Sequence, residues 1–330
     1  MPGNFLSTPE FRRLVEAANS VRRRSQWNDR LSHWEKPASV SEEGTILRAE
    51  NNVKSALATD PWFAIQQVEV AQQGSYFNNT NVRTEADIDI RVVHPNIQIE
   101  YGAGVTPQEG WQAMGYQRPM LSNEDASSEL RQRIRKVLEA KFGVANVKVG
   151  TKAIKVSGIT GSRADVDVVP VTNLHFLRRS TNPAYLEVVE GVALLPEYGD
   201  LIFNFPKQHH SNGIAKRTNT KHRFKKVVRS TKRMRADMAE TYPVANRIPS
   251  FLVECLIYLV EDEFFCVEED DRYLRLKRVL GRLSTILASP TAEITALEIN
   301  DVKLLFGPHQ PWELREAREF VRSALEWMGE

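Results

Sequence analysis

The sequence predicts an α+β protein with two lobes, the first built around a β-sheet and the second largely helical. Its 330 residues exceed the size at which one core usually stays undivided, so two lobes of roughly 150 residues each are expected. Segments that alternate polar and apolar residues, as strands do, lie between residues 66 and 206. From about Asn212 onward, apolar residues recur at helical spacing. We therefore expect a first lobe over 1–210, including an N-terminal helix, and a second over 211–330.

Two helices are predicted before the first strand. Ser7 or Thr8 followed by Pro9 is typical of a helix start, and the apolar residues after it repeat at helical spacing to about Arg24. A second helix is expected over 42–57.

Two strands follow, joined by a turn at Gly74 and Ser75. Val68 and Val70 alternate with polar residues, and residues 86–93 ("ADIDIRVV") alternate in the same way. This alternation is typical of half-buried strands.

The remainder of the first lobe is expected to contain one long helix and further strands. Residues 97–122 are rich in glycine and lack a steady period, which favours an irregular segment. Ser122 resembles a helix cap and Gly143 a helix end. Strands are then predicted within 147–158, 164–171 and 190–206, the last as a hairpin about Gly199.

Composition indicates an ordinary globular protein. Hydrophobic residues make up 42% and charged residues 26% of the chain. The N-terminus lacks the apolar core of a signal peptide, and apolar runs are too short to cross a membrane, so we expect a cytoplasmic protein. Cys255 and Cys266 lie among apolar residues without metal-ligand spacing and are expected to be reduced thiols.

Positive charge is concentrated in one segment although the net charge is only +2. Residues 216–235 hold ten Lys and Arg and no acid, whereas 261–271 are strongly acidic. Such a basic run favours a polyphosphate ligand, with RNA or DNA as the alternative.

Two acids on one strand are the first candidate for chemistry. Asp87 and Asp89 project from the same face, about 7 Å apart, since strand side chains alternate. A bound divalent cation relieves the repulsion between such carboxylates, and hard oxygen ligands favour Mg²⁺. Asp167, on a later acidic strand, offers the third carboxylate of a two-metal site, with Asp165 as a rival.

Gly74 and Ser75 precede this acidic strand and suit a phosphate group. A glycine lets backbone approach a ligand closely, and the hydroxyl and amide groups of the turn can donate hydrogen bonds to phosphate. A Gly-Ser turn followed by Asp-x-Asp is more specific than either feature alone.

These residues together resemble a known family. Residues 74–90 with "ADVDVVP" resemble the DNA polymerase β-type nucleotidyltransferase signature. They are most similar to the bacterial CD-NTases, relatives of cyclic GMP-AMP synthase and oligoadenylate synthase. The resemblance continues through 204–235, 248–254 ("IPSFLVE") and 304–321.

The resemblance implies a polymerase β-like fold with a mixed sheet, a helical second lobe and a cleft between the lobes. It implies that Asp87, Asp89 and Asp167 are catalytic metal ligands. Gly74 and Ser75 correspond to the turn that binds the donor phosphates.

In the second lobe, the resemblance assigns the triphosphate tail to Lys232 and Ser250. Phe251 corresponds to an aromatic residue that stacks on the donor base. Its apolar neighbours leave a place in the helix core as the alternative.

The implied activity is template-independent synthesis of a cyclic di- or trinucleotide from ATP, alone or with another NTP. Two Mg²⁺ ions, or Mn²⁺, would serve as cofactors, and pyrophosphate would be released. The family context implies anti-phage signalling through a downstream effector. A regulatory partner protein is the expected activator, with a nucleic acid as the alternative, and no membrane partner is expected. An RNA-tailing enzyme and a toxin that modifies protein or tRNA remain alternatives.

Overall fold

The protein's structure, a computed structural model, describes residues 9–37, 39–82, 88–116 and 121–329. The chain divides into two compact units. The sheet unit comprises Ala38–Ser211, and the helical unit comprises Met1–Pro37 together with Asn212–Glu330. The predicted helix start at Ser7 or Thr8 lies outside the described residues.

The sheet unit is built on one mixed sheet. Its described strands are β1 (Glu69–Gln73), β2 (Ile88–Tyr101), β3 (Val147–Val149), β4 (Ile154–Val156), β5 (Val166–Arg179), β6 (Leu186–Leu194) and β7 (Ile202–Asn204). They are arranged in the order β1-β2-β5-β4-β3, and β6 pairs with β5 and with β7. The long strands β2 and β5 run parallel at the centre, while the other pairs are antiparallel.

Helices accompany the strands of this unit. They are α2 (Val40–Leu57), α3 (Pro61–Ile65), α4 (Gly74–Phe77), α5 (Pro107–Met114) and α6 (Asn123–Phe142). The predicted signals of α6 are confirmed, because the Ser122 side chain accepts a hydrogen bond from the Asp125 amide and the helix ends at Gly143.

The core of the sheet unit explains the alternation in the central strands. Ile88 and Ile90 of β2 and Val166 and Val168 of β5 are buried in one cluster with the apolar stripe of α6. The intervening residues, including Asp89 and Asp167, therefore project from the opposite face. The strands hold these acids on a rigid support.

Residues 97–122 differ from the expected irregular segment. Strand β2 continues through Tyr101, and α5 forms from Pro107 to Met114. Thr106 caps α5 by accepting a hydrogen bond from the Glu109 amide, with Pro107 in the first turn.

The helical unit packs its helices around a second apolar core. Its described α-helical segments are α1 (Pro9–Trp34), the end of α7 (Pro206–Asn219), α8 (Phe224–Met238), α9 (Val244–Arg247), α10 (Ser250–Tyr258), α11 (Arg272–Ala288), α12 (Ala292–Thr295) and α13 (Leu314–Trp327). None of the helices in the described ranges combines the length and apolar character required to cross a membrane.

Helix α1 packs in the helical unit, although the sequence-based division placed it in the first lobe. Trp27 and Leu31 belong to the core of the helical unit. The Asn28 carboxamide oxygen accepts hydrogen bonds from the Arg272 and Tyr273 amides at the start of α11, at 2.8 and 3.0 Å. The helix continues ten residues past the expected end at Arg24, to Trp34. The length of α1 and its place in the helical unit both depend on contacts with residues distant in sequence.

Candidate active site

Asp89 and Asp167 lie side by side on the central strands. They are register partners in the parallel β2–β5 pair, and both are half-buried. Strands in such a pair run about 4.8 Å apart, so two carboxylates on the same face are close neighbours. Asp87 lies outside the described residues.

Gly74 lies against the carboxylate of Asp89. Gly74 directly follows the last residue of β1, Gln73, whose register partner is Asp89. A Cβ on Gly74 would stand 2.0 Å from Asp89 Oδ2, and Gly74 has a φ of +74°. Both the contact and the backbone conformation require glycine here. The predicted phosphate turn and the predicted metal ligand are therefore adjacent.

The turn at Gly74 is a short helix held from two sides. The Asn78 amide donates to the Gly74 carbonyl at 3.2 Å, and the Thr80 amide donates to the Ser75 carbonyl at 2.9 Å. His210 braces the far end, since its ring stacks on Phe77 at 4.1 Å. This role of His210 could not be predicted from the sequence, because no local signal links His210 to Phe77.

Asp165, the rival of Asp167, has structural partners. Its carboxylate accepts a hydrogen bond from the Gly158 amide and lies 3.1 Å from the Lys155 ammonium. Strand β5 begins only at Val166, so Asp165 precedes it. The structure places Asp167, rather than Asp165, beside Asp89.

The donor set of Asp89 and Asp167 suits a hard divalent cation such as Mg²⁺, because carboxylate oxygens are its preferred protein ligands. Within the ranges that the structure describes, no cluster of three His, Cys, Asp or Glu side chains is positioned to hold a metal. Asp87 falls outside those ranges and remains the predicted third ligand.

A polar cavity of about 160 Å³ opens on the same sheet. It is lined by Arg91, Asn173, His175 and Glu190, among others. Arg91 follows Asp89 by two residues and so shares its face. Burial lowers the pKa of His175, and the Tyr116 hydroxyl lies 2.6 Å from its Nδ1. The cavity thus offers both charged and neutral hydrogen-bonding groups, and Arg91 connects its lining to the face of β2 that carries Asp89.

The helical unit holds the remaining predicted residues. Lys232 of α8 is fully buried, and its Nζ lies 2.5 Å from Oε1 of Glu254 on α10. Ser250 is the first residue of α10 and lies one turn before Glu254. Glu254 lies within an apolar run, so its contact with Lys232 could not be predicted from the sequence.

Phe251 stands apart from the apolar residues that follow it in α10. It is 36% exposed, whereas Leu252, Val253, Cys255, Leu256 and Ile257 are buried. Its ring centroid lies 6.0 Å from that of Trp312. Phe251 thus contacts the core at one edge and keeps part of its ring accessible.

Comparison with known proteins gives concordant matches. Residues 211–329 match the family model of the cGAS/DncV-like nucleotidyltransferase C-terminal helical domain. The cyclic dipyrimidine nucleotide synthase CdnE of Legionella pneumophila is 32% identical over 303 residues, which cover 92% of this chain and 98% of that protein. The Cecembia lonarensis protein of the same name is 30% identical, covering 89% and 95%.

Solved structures agree on the fold. The Rhodothermus marinus CdnE c-UMP-AMP synthase, solved with Apcpp and Upnpp, superposes with a TM-score of 0.72 and 24% identity over 92% of this chain and 96% of that one. The Elizabethkingia meningoseptica CdnE cyclic dinucleotide synthase, solved with GTP and Apcpp, gives 0.70 and 25% over 92% and 99%. The polymerase β-like fold expected from the sequence is confirmed.

Proposed function

The chain belongs to the cGAS/DncV-like nucleotidyltransferases, the CD-NTases, and from this membership we propose that it joins nucleoside triphosphates into a cyclic oligonucleotide with the aid of two divalent ions. The observation that carries the proposal is the alignment of Asp89 with Asp167 across two parallel strands, with Gly74 against the Asp89 carboxylate.

In this proposal the three aspartates bind the metal ions, and the turn at Gly74 and Ser75 binds the donor phosphates. Asp89 and Asp167, with Asp87, would hold Mg²⁺ or Mn²⁺. The bound ions would stabilise charge on the phosphates and lower the pKa of the acceptor hydroxyl. Gly74 and Ser75 would bind and orient the donor phosphates through the turn's amide and hydroxyl groups.

The chemistry is an in-line displacement at the α-phosphorus of the donor. The acceptor hydroxyl oxygen forms the new P–O bond, its proton leaves to solvent, and the bond to the β-phosphate breaks to release pyrophosphate. A second transfer within the linear product closes the ring. Buried strands beneath the carboxylates keep them fixed through both transfers.

We propose pyrimidine nucleotides among the substrates. The Legionella and Cecembia relatives are named as cyclic dipyrimidine synthases. The polar cavity that Arg91, Asn173 and His175 line on the same sheet offers donor and acceptor groups of the kind that reading a base edge requires. ATP, expected from the sequence, is the second candidate substrate.

Lys232, Ser250 and Phe251 complete the proposal in the helical unit. Lys232 and Ser250 would contact the triphosphate, and the exposed part of Phe251 would support a base through its π-face. Anti-phage signalling, an effector that reads the product and a regulatory protein are proposed from the family context.

The test is incubation of the whole protein with each labelled NTP and with pairs of NTPs in Mg²⁺, followed by phosphatase. A phosphatase-resistant small product that contains UMP or CMP is expected. Label in RNA or protein would instead favour the tailing or toxin alternatives, and a product made only of purines would refute the pyrimidine assignment.

A matched pair of variants tests the site. Asp167→Asn should abolish product because it removes a metal-binding charge. Asp165→Asn should retain activity, since the Asp165 carboxylate contacts Gly158 and Lys155 instead. Cyclic product from Asp167→Asn at the wild-type rate would contradict the metal assignment.

A further inference from the structure

Three basic side chains are removed from solvent on one face of α8. Lys225, Arg229 and Lys232 are 6%, 6% and 1% exposed. Their spacing of four and seven residues places them along a single side of the helix. Lysine and arginine are rarely buried unless their charge is neutralised. This basic face therefore needs negative charge nearby.

The anionic partners account for only part of this charge. Glu254 pairs with Lys232 at 2.5 Å. The Arg229 Nε donates to the Glu35 backbone carbonyl at 2.8 Å, and the Glu35 carboxylate pairs with Arg275 at 3.2 Å. Both buried acids are thus already engaged with other cations.

Neither Glu254 nor Glu35 forms an ion pair with Lys225 in the part of the chain that the structure describes. Among the residues that the structure describes, its ammonium makes neither a hydrogen bond nor an ion pair. Burial, repulsion by Arg217 and repulsion by Arg229 lower its pKa, and attraction by Glu254 offsets this only in part. A buried cation without a full counter-charge is costly, which points to an anionic ligand.

The start of α10 offers neutral donors on the side of that helix that contacts Lys232. Glu254, which contacts Lys232, lies one turn after Ser250, so both residues occupy one side of α10. The N-cap, Pro249, supplies no side-chain hydrogen bond to the first turn. Amide groups at such a helix start favour anions.

We propose that Lys225 is a further ligand of the substrate's polyphosphate chain, acting beside Lys232 and Ser250. The proposal rests on the proposed function for the identity of the nucleotide, while the buried surplus of positive charge supports the polyphosphate chemistry. Binding of the chain would supply the counter-charge that Lys225 lacks.

The test is calorimetric titration of the whole protein with inorganic triphosphate, ATP and AMP in EDTA, which removes the contribution of metal ions. Lys225→Met should weaken triphosphate and ATP binding about 10- to 100-fold, the range expected for losing one charged hydrogen bond. AMP, which lacks the β- and γ-phosphates, should bind both proteins alike. Lys225→Arg should keep most of the affinity.

The control is Lys221→Met, which removes the same charge from an exposed position four residues away. It should change triphosphate affinity less than twofold. Equal triphosphate affinity for Lys225→Met and wild type would overturn the proposal. If the protein bound triphosphate but not ATP, a nucleotide could not be the source of the polyphosphate chain that Lys225 binds.

Melting temperatures separate a ligand from a structural lysine. If Lys225 binds phosphate, Lys225→Met should melt no lower than wild type without ligand and should lose the rise caused by triphosphate. A lower ligand-free melting temperature with that rise intact would make Lys225 a structural partner of Glu254 and overturn the proposal.

The two proposals fail separately. Lys225-dependent triphosphate binding in a protein that makes no cyclic product would support this inference and refute the proposed function. Cyclic product together with unchanged triphosphate binding by Lys225→Met would support the proposed function and overturn this inference.

Discussion

The close approach of Gly74 to Asp89 makes position 74 the most restrictive residue of the candidate site. An added Cβ would stand 2.0 Å from the carboxylate oxygen, so either the turn or the carboxylate must shift. Strand pairing between Gln73 and Asp89 holds the two backbones in place, so the shift falls on the turn and on the Asp89 side chain.

Gly74→Ala should therefore reduce pyrophosphate release about 100-fold, since a misplacement of about 1 Å in an active site can have that effect. The free energy of unfolding should fall by about 1–2 kcal/mol, the cost of a left-handed conformation for alanine. Both quantities can be measured on one preparation.

Gly281→Ala is the matched control, because Gly281 lies within α11 and an added Cβ there meets no atom within 4 Å. It should leave activity unchanged and raise the unfolding free energy by about 0.5–1 kcal/mol. Wild-type activity in Gly74→Ala would show that the contact does not constrain the site.

At the scale of elements, α1 is held by its aromatic side chains. Trp27 packs edge-on against Trp327 at 5.2 Å and stacks on Tyr273 at 6.2 Å. Arg30 lies over the ring of Trp327 at 5.1 Å. These contacts link α1 to α11 and α13 of the helical unit.

Trp27→Ala should lower the unfolding free energy by about 3–5 kcal/mol, the usual cost of truncating a buried aromatic residue. Val21→Ala, at a position of α1 that is 68% exposed, should change it by less than about 0.5 kcal/mol. Urea unfolding followed by circular dichroism measures both. Equal effects of the two substitutions would mean that α1 contributes little to the unit.

The elements also show how far the sequence alone predicts this molecule. Helix α6 was predictable because its signals are local, namely the Ser122 cap, the apolar stripe and Gly143. Helix α5 was missed because eight residues give little periodicity, although Thr106 and Pro107 carried a start signal.

The residues of the candidate site likewise divide into those that the sequence predicts and those that it does not. The acidic strands could be predicted because acidic and aliphatic residues alternate along them. The family resemblance then selected Asp167 over Asp165. The alignment of Asp167 with Asp89 depends on pairing between strands far apart in sequence. Glu254 and Lys225 escaped notice because a charge inside an apolar or basic run shows nothing of its burial.

At the scale of the whole molecule, paired carboxylates should govern stability in acid. Hydrogen bonding from the Arg282 guanidinium lowers the pKa of Glu261 to about 2 in the helical unit. In the sheet unit, the Trp62 amide lowers the pKa of Asp60. Because the folded state binds these protons less readily than the unfolded state, protonation favours unfolding.

The contribution of Glu261 should be fully present above pH 4.5, its ordinary pKa, and disappear as the pH falls towards about 2. Glu261→Gln should flatten the decline in urea midpoint over this interval. Glu293→Gln, at an exposed position in the first turn of α12, serves as the control. Parallel pH profiles for Glu261→Gln and wild type would contradict this role.

The packing of α1 in the helical unit means that one folding unit is interrupted in the chain by another. During synthesis, the sheet unit of Ala38–Ser211 can be completed while the helical unit still awaits its last helices. Helix α1 must therefore remain without its partners until the ribosome has made α11 and α13. A fragment starting at Asn212 would lack Trp27 and Leu31, so an independently expressed helical unit needs α1 rejoined to it, for instance by circular permutation.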